Sequence, residues 1–377
     1  MTDILILGAG YAGLAAATNL AGRVRGRDDV RVTLVNAGER FTERLRLHST
    51  AAGRPTADLR LPDLLAGTGV RLEYGWVTAV DADARTVRLD DERDLRFDKL
   101  VYALGSVVDT ASVPGAAEHA YTFDDFRGAE ALAARLTPNS TVVVCGGGLT
   151  GVETAAEIAE RGFTVRLLSR DRPGTGMTAK AQAYVTAALD RLGVEVRIGE
   201  ITKVLPDGVD LSGEIVPADV VVWTAGTRIS PLAPALTNDE HGRIVTDRCL
   251  RSVSHPHVYA VGDAAAVRQG FGVLHGTCQS GMPTGVHAAA NLARELDGKQ
   301  PQPFRFGYYH RPVSLGRGDA VVQFTRPDDS PRRAYLTGRA AVWYKETVTA
   351  SPWPTYARML TMPALASWWP HGGRYTR

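Results

Sequence analysis

The sequence has few cysteines, no excess of either charge and no long apolar run. Only three of its 377 residues are cysteines, and no two of them form a closely spaced pair. A disulfide framework and a redox dithiol built from neighbouring cysteines are therefore excluded. Cys145 ends an apolar stretch and is expected to be a small buried hydrophobe. The 43 basic and 41 acidic residues give a net charge of +2 without basic runs, which argues against nucleic-acid binding.

Long hydrophobic segments are absent as well. No run of about 18 apolar residues occurs, so no membrane-spanning helix is predicted. The first predicted strand begins by Asp3 or Ile4, which leaves no room for a secretory signal segment. We therefore expect a cytoplasmic protein, with peripheral contact at the inner face of the membrane left open. No cluster of metal-ligating residues stands out, and no metal site is predicted.

One device is present twice: an apolar strand, a glycine cluster and an alanine-rich helix. The copies read DILILGAGYAGLAAA from residue 3 and TVVVCGGGLTGVETAAE from residue 141. The first glycine of such a turn allows tight bending, the second lets a pyrophosphate approach the backbone, and the third lets the helix pack on the strand. The helix N-terminus adds free N–H donors and a partial positive charge. The pattern predicts two dinucleotide sites, formed by Gly8, Gly10, Tyr11, Ala12 and Gly13 in the first copy and by Gly146, Gly148, Leu149, Thr150 and Gly151 in the second.

Strand and helix patterns alternate in both copies. The predicted strand–helix–strand units cover residues 4–7, 11–20 and 30–35, and then 141–145, 152–160 and 164–168. This alternation indicates parallel sheets with helices on their faces. We predict an α/β fold of two Rossmann-like three-layer domains plus a smaller C-terminal α+β domain. The expected boundaries are residues 1–115 with 245–303, then 116–244, then 304–377.

Two further elements are predicted towards the C-terminus. A helix is expected from Thr284 to Glu295, followed by the turn-rich linker LDGKQPQP. Beyond it, the segments DAVVQF and AYLTGRAAVWY are expected to form strands.

The residues that end the second strand of each unit indicate how a ribose is held. Asn36 ends the first unit, and its amide can still hydrogen-bond a ribose hydroxyl although it carries no charge. Ser169 and Arg170 end the other unit. Since no carboxylate stands there to repel a 2′-phosphate, and Arg170 and Arg172 can pair with one, the sequence favours NADPH over NADH.

Four motifs in order resemble the flavoprotein oxidoreductases that bind two dinucleotides: GAGYAG, DKLVYALGS (98–106), GGGLTGVE and HVYAVGDAAAV (257–267). The resemblance covers about residues 1–300. Within that family the chain looks most like the branch of type II NADH dehydrogenases and apoptosis-inducing factor. NAGERFTERLRLH stands where the disulfide reductases carry their cysteine pair.

The resemblance implies FAD on the first unit and NAD(P)H on the middle one. The aspartate of VGD, here Asp263, would hold the ribityl chain of FAD. The implied cofactor-binding residues outside the glycine turns are Asn36, Arg44, Ala103, Gly105, Gly262 and Asp263 for FAD, and Ser169, Arg170 and Gly226 for NAD(P)H.

Three residues are candidates for roles in catalysis. Glu153 follows the third glycine of the second turn, at the family position expected to help orient the nicotinamide, although it could also be an acid that complements the helix dipole. Gln279 lies where a donor near the flavin would be useful. His48, in the loop expected to cross near the flavin, could relay a proton.

The C-terminal segment WPTYARMLTMPALASWWP contains four large aromatic residues, Trp353, Tyr356, Trp368 and Trp369. In the branch that the chain resembles, this region forms a membrane-surface anchor, as interfacial aromatics can. Because prolines interrupt it and few basic residues flank it, a dimer contact and a cap over the acceptor pocket are kept as alternatives.

The resulting functional prediction is an FAD-dependent enzyme that oxidises NAD(P)H and reduces a quinone or another small aromatic acceptor. The type II enzymes tend to carry a second glutamine beside the quinone pocket, where this chain has Pro283 and Thr284, and this departure weakens the case for a quinone. The alternatives are a ferredoxin- or rubredoxin-type reductase, a flavoenzyme that tailors a biosynthetic intermediate, and a non-catalytic module that binds nucleotide and responds to redox state.

Overall fold

A computed structural model describes residues 1–365 and 368–376 of the chain. The α-helices among these residues are, in chain order, α1 Tyr11–Arg23, α2 Leu47–Ala51, α3 Leu61–Leu65, α4 Ala116–His119, α5 Phe126–Arg135, α6 Leu149–Glu160, α7 Ala179–Arg191, α8 Cys278–Leu296, α9 Gly338–Ala350 and α10 Pro352–Thr361. Short 3₁₀ segments occur at Arg44–Arg46, Gly262–Ala264 and Gly373–Thr376.

The strands are numbered in the same way. Those of the first half are β1 Thr2–Leu7, β2 Val30–Asn36, β3 Val70–Tyr74, β4 Val77–Asp81, β5 Thr86–Leu89, β6 Asp94–Arg96, β7 Lys99–Tyr102, β8 Val107–Val108, β9 Ala120–Tyr121, β10 Thr141–Cys145 and β11 Thr164–Ser169. Those of the second half are β12 Glu195–Ile198, β13 Ile201–Leu205, β14 Gly208–Leu211, β15 Glu214–Pro217, β16 Val220–Trp223, β17 Thr227–Arg228, β18 Ile244–Val245, β19 Val258–Ala260, β20 Ala265–Ala266, β21 Arg268–Gln269, β22 Gly272–Val273, β23 His310–Ser314, β24 Ala320–Thr325 and β25 Pro331–Thr337.

The first glycine turn belongs to a parallel five-stranded sheet of order β19-β7-β1-β2-β3. The apolar end of β1 is fully inside, since Ile4, Leu5, Ile6 and Leu7 are all buried. Such continuous apolar strands are typical of parallel sheets covered on both faces. Leu7 lies beside Val35 of β2 and, on its other side, beside the last residue of β7. The carboxyl ends of these strands therefore meet at one edge, where the glycine turn emerges.

The second glycine turn belongs to a second parallel sheet of order β12-β11-β10-β16-β9. Its central strand β10 pairs with β11 and β16 in the same way that β1 pairs with β2 and β7. Each sheet is interrupted at the corresponding place by a three-stranded antiparallel sheet, β4-β5-β6 in the first unit and β13-β14-β15 in the second. The prediction of two Rossmann-like units is confirmed.

The C-terminal part combines an antiparallel sheet, β23-β24-β25, with helices α9 and α10, and so has the α+β character predicted for it. The segment AYLTGRAAVWY is not a strand throughout: β25 ends at Thr337, and α9 begins at Gly338. The strand prediction was wrong for its second half, where the two alanines favour a helix.

Two other helix boundaries differ from the prediction. Helix α6 begins at Leu149, directly after its glycine cap, instead of at Val152. Helix α8 begins at Cys278 and carries Pro283 inside it, although a proline usually ends a helix at the residue before it. The Thr277 side chain caps this helix by accepting from Ser280 N, and its first turns therefore form despite the proline.

Helix α10 packs on α1. The Tyr356 ring is fully buried, and its hydroxyl donates to the carbonyl of Tyr11 over 3.3 Å. A Cβ on Gly22 would lie 2.3 Å from the Met359 carbonyl oxygen, so the two helices approach as closely as a glycine allows. The division of the chain into three domains at the expected boundaries stays a prediction.

Candidate active site

The first glycine turn has the geometry that the sequence predicted for a pyrophosphate site. A Cβ on Gly13 would lie 1.8 Å from the Gly8 carbonyl oxygen, so only glycine lets α1 start this close to β1. A Cβ on Gly10 would meet nothing within 4 Å. Gly10 caps α1 without any side-chain hydrogen bond, and the first N–H groups of the helix stay available to an anion.

The second turn repeats these features. A Cβ on Gly151 would lie 1.8 Å from the Gly146 carbonyl oxygen, whereas a Cβ on Gly148 would meet nothing within 4 Å. Gly148 caps α6, again without a side-chain bond. The middle glycine serves no packing need in either turn, and its open surface leaves room for a ligand to approach the backbone closely.

The ends of the two second strands differ in what their side chains do. The Asn36 amide accepts from Ala9 N over 2.9 Å and donates to the Gly38 carbonyl over 2.7 Å, and it thereby ties the strand end to the first glycine turn. Ser169 is buried beside the second turn, where a Cβ on Gly147 would lie 2.1 Å from its hydroxyl oxygen. Arg170 lies next to Ser169 and is exposed.

Several predicted FAD ligands converge beside the first turn. The Ser106 hydroxyl donates to the Asp263 carboxylate over 2.8 Å, and Arg44 donates to the Ser106 carbonyl over 2.9 Å and pairs with Asp124. Gly105 and Gly262 both have positive φ, +67° and +66°, in loops near these side chains. A carboxylate that accepts from sugar hydroxyls and an uncapped helix N-terminus suit the ribityl chain and the pyrophosphate, so the residues present fit FAD.

A cavity of about 1130 Å³ connects the second turn to the start of α8 and to the C-terminal part. Its lining includes residues 146–150, 169–172, 223–226, 275–279 and 308–312, together with Tyr11, Glu153, Lys345, Trp368 and Trp369. Most of the predicted NAD(P)H residues and Gln279 therefore face one space. Of the first glycine turn, Tyr11 alone is in this lining.

Glu153 lies in the cavity wall as part of a charged group that sequence reasoning found only in part. One carboxylate oxygen lies 3.1 Å from Lys345 Nζ and accepts from Ser314 N over 2.9 Å. The other lies 3.6 Å from His48 Nδ1. Burial raises the pKa of the Glu153 carboxyl, but Lys345, His48 and the Ser314 N–H outweigh it and hold the pKa below its ordinary value. The Glu153 side chain is therefore a carboxylate at neutral pH.

His48 lies behind Glu153 and is almost fully buried, with 5% of its surface exposed. Burial lowers the pKa of its imidazole to about 4, against the opposing effect of Glu153. At neutral pH the ring is neutral and can accept a proton but not give one up as an imidazolium. The proton relay proposed for His48 stays a prediction, and the structure supplies Lys345 as a neighbour that no motif in the sequence indicated.

Gln279 uses its side chain to join α8 to the C-terminal part. Its amide nitrogen donates to the His310 carbonyl over 2.9 Å, and its amide oxygen accepts from Tyr309 N over 3.2 Å. Cys278, the residue before it, has a thiol whose pKa is raised to about 12 by burial. The thiol is therefore neutral, and Cys145 is buried as predicted.

The aromatic residues of the C-terminal segment divide into two sets. Trp353 and Tyr356 pack against Phe41, with ring centroids 5.8 and 5.7 Å apart. Trp368 and Trp369 line the cavity, which favours the predicted cap over an acceptor pocket. Trp368 is nevertheless 86% exposed, so membrane or dimer contact through this segment stays a prediction. Among the described residues, no helix is both long and apolar enough to cross a bilayer.

Comparison with known proteins identifies the family of the chain. The family model described as "Pyridine nucleotide-disulphide oxidoreductase" matches residues 2–292. An NADH dehydrogenase-like protein of Mycobacterium tuberculosis is 34% identical over 354 residues, which cover 85% of this chain and 87% of that protein. A type II NADH:quinone oxidoreductase of Staphylococcus epidermidis is 30% identical over 375 residues, covering 88% and 92%.

A solved structure shares the fold. The NDH2 of Plasmodium falciparum in complex with NADH matches with a TM-score of 0.79 over 96% of this chain and 97% of that one, at 14% identity. Fold, glycine turns and sequence relatives agree, and FAD and NAD(P)H are the cofactors. The chain belongs to the pyridine nucleotide-disulphide oxidoreductase family and is an enzyme of its type II NADH dehydrogenase-like branch.

Proposed function

We propose that the enzyme oxidises NADPH in preference to NADH and passes the electrons to a quinone or a similar small aromatic acceptor. The observation that carries this proposal is the cavity of about 1130 Å³, which reaches from the second glycine turn to the aromatic side chains of the C-terminal part. A relative that is 30% identical is named for NADH:quinone oxidoreduction, which supports the same acceptor class here.

The chain's own residues have separable tasks in this proposal. Bound FAD would supply the two-electron relay between nicotinamide and acceptor. The N-termini of α1 and α6 hold the two pyrophosphates. The Asp263 carboxylate, itself held by the Ser106 hydroxyl, accepts from the hydroxyls of the sugar chain and orients it. Glu153 presents a fixed carboxylate to the nicotinamide end of the cavity, because its pKa is held low. Gln279 fixes the start of α8 against the strand β23.

The acceptor side of the cavity is suited to an apolar ring. Val348, Pro352, Trp368 and Trp369 line it, and apolar and aromatic walls with few polar groups are typical of small-molecule pockets. Pro283 also lines it, at the place where the second glutamine of the type II enzymes would fall. We therefore expect a site that recognises the ring mainly by packing.

The preference for NADPH rests on the end of β11. Ser169 supplies no carboxylate, and Arg170 and Arg172 both line the cavity and are exposed. A 2′-phosphate would gain charge-assisted hydrogen bonds from either arginine. Asp171 and Glu200 also line the cavity, and their negative charges oppose the binding of a 2′-phosphate. Comparing KM for NADPH with KM for NADH measures whether the two arginines outweigh these carboxylates.

Anaerobic mixing tests the activity. NADPH should bleach the flavin absorbance of the purified protein, and menadione added afterwards should restore it. Bleaching by neither nucleotide contradicts the proposed reaction, and bleaching without recovery contradicts the acceptor.

Charge removal tests the nucleotide preference. Arg170→Ala should raise KM for NADPH about tenfold and leave KM for NADH unchanged, which corresponds to the loss of about 1.4 kcal/mol of binding. Arg127→Ala, at an exposed position of α5, is the matched control. Equal effects of Arg170→Ala on the two nucleotides would contradict a role at the 2′-phosphate.

A further inference from the structure

Four side chains meet in the cavity wall although they come from separate stretches of the chain. His275 precedes α8, Tyr308 precedes β23, Arg311 lies in β23, and Asp329 lies between β24 and β25. All four line the cavity. None of them belongs to a motif that the sequence indicated.

Asp329 is the buried centre of this group, with 6% of its surface exposed. Its Oδ2 accepts from Arg311 Nε over 2.9 Å and from Nη2 over 2.5 Å. Its Oδ1 is buried and makes no hydrogen bond within the described part of the chain. The backbone φ is +65°, a region that Asp and Asn tolerate better than other residues with a side chain. A buried carboxylate with an unused oxygen is costly, which makes Asp329 a candidate site residue.

His275 is fixed on two sides and free on a third. Its Nε2 lies 3.2 Å from Asp329 Oδ2. Its ring stacks on Tyr308, with the centroids 4.3 Å apart and the planes 4° from parallel, and the Tyr308 hydroxyl donates to the His275 carbonyl over 2.8 Å. The side chain is 54% exposed. Among the described residues, the polar contacts of His275 run through Nε2 and the carbonyl oxygen, so Nδ1 is available to a molecule in the cavity.

Three other titratable side chains of the cavity are less suited than His275 to supply a proton. The Glu153 carboxyl has a lowered pKa and is already ionised. Burial lowers the pKa of His310 to about 4, and its Nδ1 is occupied by the Tyr344 hydroxyl 2.7 Å away. Burial raises the pKa of Tyr309 to about 12. His275 is the exposed imidazole among these groups.

The proposed reaction requires one proton beyond those carried by the nucleotide. Reduction of a quinone to a hydroquinone takes two electrons and two protons, and it converts both carbonyl groups to hydroxyls. The hydride given up by NAD(P)H brings two electrons and one proton. One more proton must reach an acceptor oxygen in each turnover.

We propose that His275 gives this proton from Nδ1 to the acceptor oxygen, while Asp329, itself held by Arg311, positions the ring through Nε2. The new O–H bond forms as the Nδ1–H bond breaks, and the ring regains a proton from water in the open cavity. This inference rests on the proposed quinone-type acceptor. His275 is then a catalytic residue, and Asp329 and Arg311 are positioning residues.

The pH dependence follows from the groups that face His275. Burial has the largest effect and lowers its pKa, Asp329 and Asp263 raise it, and Arg311 lowers it, with a net shift below the ordinary value. Tyr308 covers one face of the ring and is neutral at these pH values, since burial raises its pKa. Reduction of the acceptor should therefore slow as the pH rises through the His275 pKa. Removal of the Asp329 charge should move this decline to lower pH.

Two acceptors separate proton donation from electron transfer. Menadione needs protons, whereas ferricyanide takes one electron at a time and needs none. We expect His275→Gln to lower kcat with menadione about a hundredfold, the usual scale of general acid catalysis, and to keep the rate with ferricyanide. Asp329→Asn should lower the menadione rate by a smaller factor and shift its pH profile to lower pH. His241→Gln, at an exposed loop position, is the matched control and should change neither rate.

A titration that does not depend on turnover completes the test. Histidine-selective NMR of the flavin-loaded protein should show one resonance that is missing in His275→Gln, and whose pKa falls further in Asp329→Asn. Equal menadione rates for wild type and His275→Gln would overturn the inference, as would an equal loss with both acceptors. If the wild-type protein does not reduce menadione at all, the proposed acceptor fails and the inference fails with it. If wild type reduces menadione and only the expected difference between wild type and His275→Gln is missing, the inference fails and the proposed function stands.

Discussion

Replacement of His48 by glutamine should make the protein less sensitive to mild acid. The imidazole is buried beside Glu153 and has a pKa of about 4, whereas in the unfolded chain it has the ordinary value of about 6.5. As the pH falls below 6.5, the His48 ring becomes protonated in the unfolded chain but stays neutral in the native protein. Stability is therefore lost progressively between pH 6.5 and 4, and the loss ends where the native ring is protonated too.

The size of the effect follows from the shift. Each unit of pKa difference corresponds to about 1.36 kcal/mol, so His48 alone should remove roughly 3 kcal/mol of the free energy of unfolding between pH 7 and pH 4. That is a large share of the stability of an ordinary domain. Burial is the leading cause of the shift, because the charged ring would lose its hydration.

Urea unfolding at pH 7, 5.5 and 4.5 measures the difference between wild type and His48→Gln. Wild type should lose stability more steeply than His48→Gln, and the difference should grow as the pH falls. The control His241→Gln, which changes an exposed ring, should behave like wild type. Histidine-selective NMR gives the native pKa directly. A His48 resonance that titrates near 6.5, or parallel losses in wild type and His48→Gln, would refute the reasoning.

Further predictions concern the second glycine turn and the charged group behind it. Gly148→Ala should fold normally, because its Cβ meets nothing within 4 Å, but should bind NADPH at least tenfold more weakly in a fluorescence titration. Gly151→Ala, with its Cβ 1.8 Å from a carbonyl oxygen, should lower the melting temperature as well, and equal melting temperatures would contradict the packing argument. Lys345→Met removes the cation 3.1 Å from Glu153 and should raise the pKa of Glu153. The decline of kcat on the acid side of the pH profile should then begin at a higher pH. An unchanged pH profile would exclude that coupling. Gln279→Ala should destabilise the start of α8, because its hydrogen bonds to residues 309 and 310 are lost, and hydrogen exchange of that turn measures it.

The parts of the site that sequence reasoning found are those that depend on local backbone geometry. A tight turn and a close helix–strand approach require glycine at fixed spacing, so Gly8 and Gly13 and their counterparts in the second turn are readable from one stretch of chain. The parallel pairing of β1 with β2 and of β10 with β11 follows from the same local units, because one strand–helix–strand pattern predicts each pair.

The parts that it missed depend on contacts between distant segments. Lys345 of α9 reaches Glu153 of α6 only because both helices pack against β23 in the folded chain, and nothing in the sequence around either residue indicates the other. The same holds for His275 and Asp329, which stand in two loops without a motif. The strand expected beyond Gly338 was wrong: Ala340 and Ala341 favour a helix, and α9 occupies this stretch.

The contact between α10 and α1 has a consequence for how the protein can be dissected. Asn19 is buried in α1 and donates its amide to the carbonyl of Pro363 over 2.8 Å, and Thr18, also buried, lies 3.6 Å from the sulfur of Met359. A shortened protein that stops near residue 303 would leave these polar groups facing an empty groove on the very helix that begins at the first glycine turn. Helix α10 therefore stabilises the part of the fold that is expected to bind FAD. A fragment made without it should release its flavin on dilution.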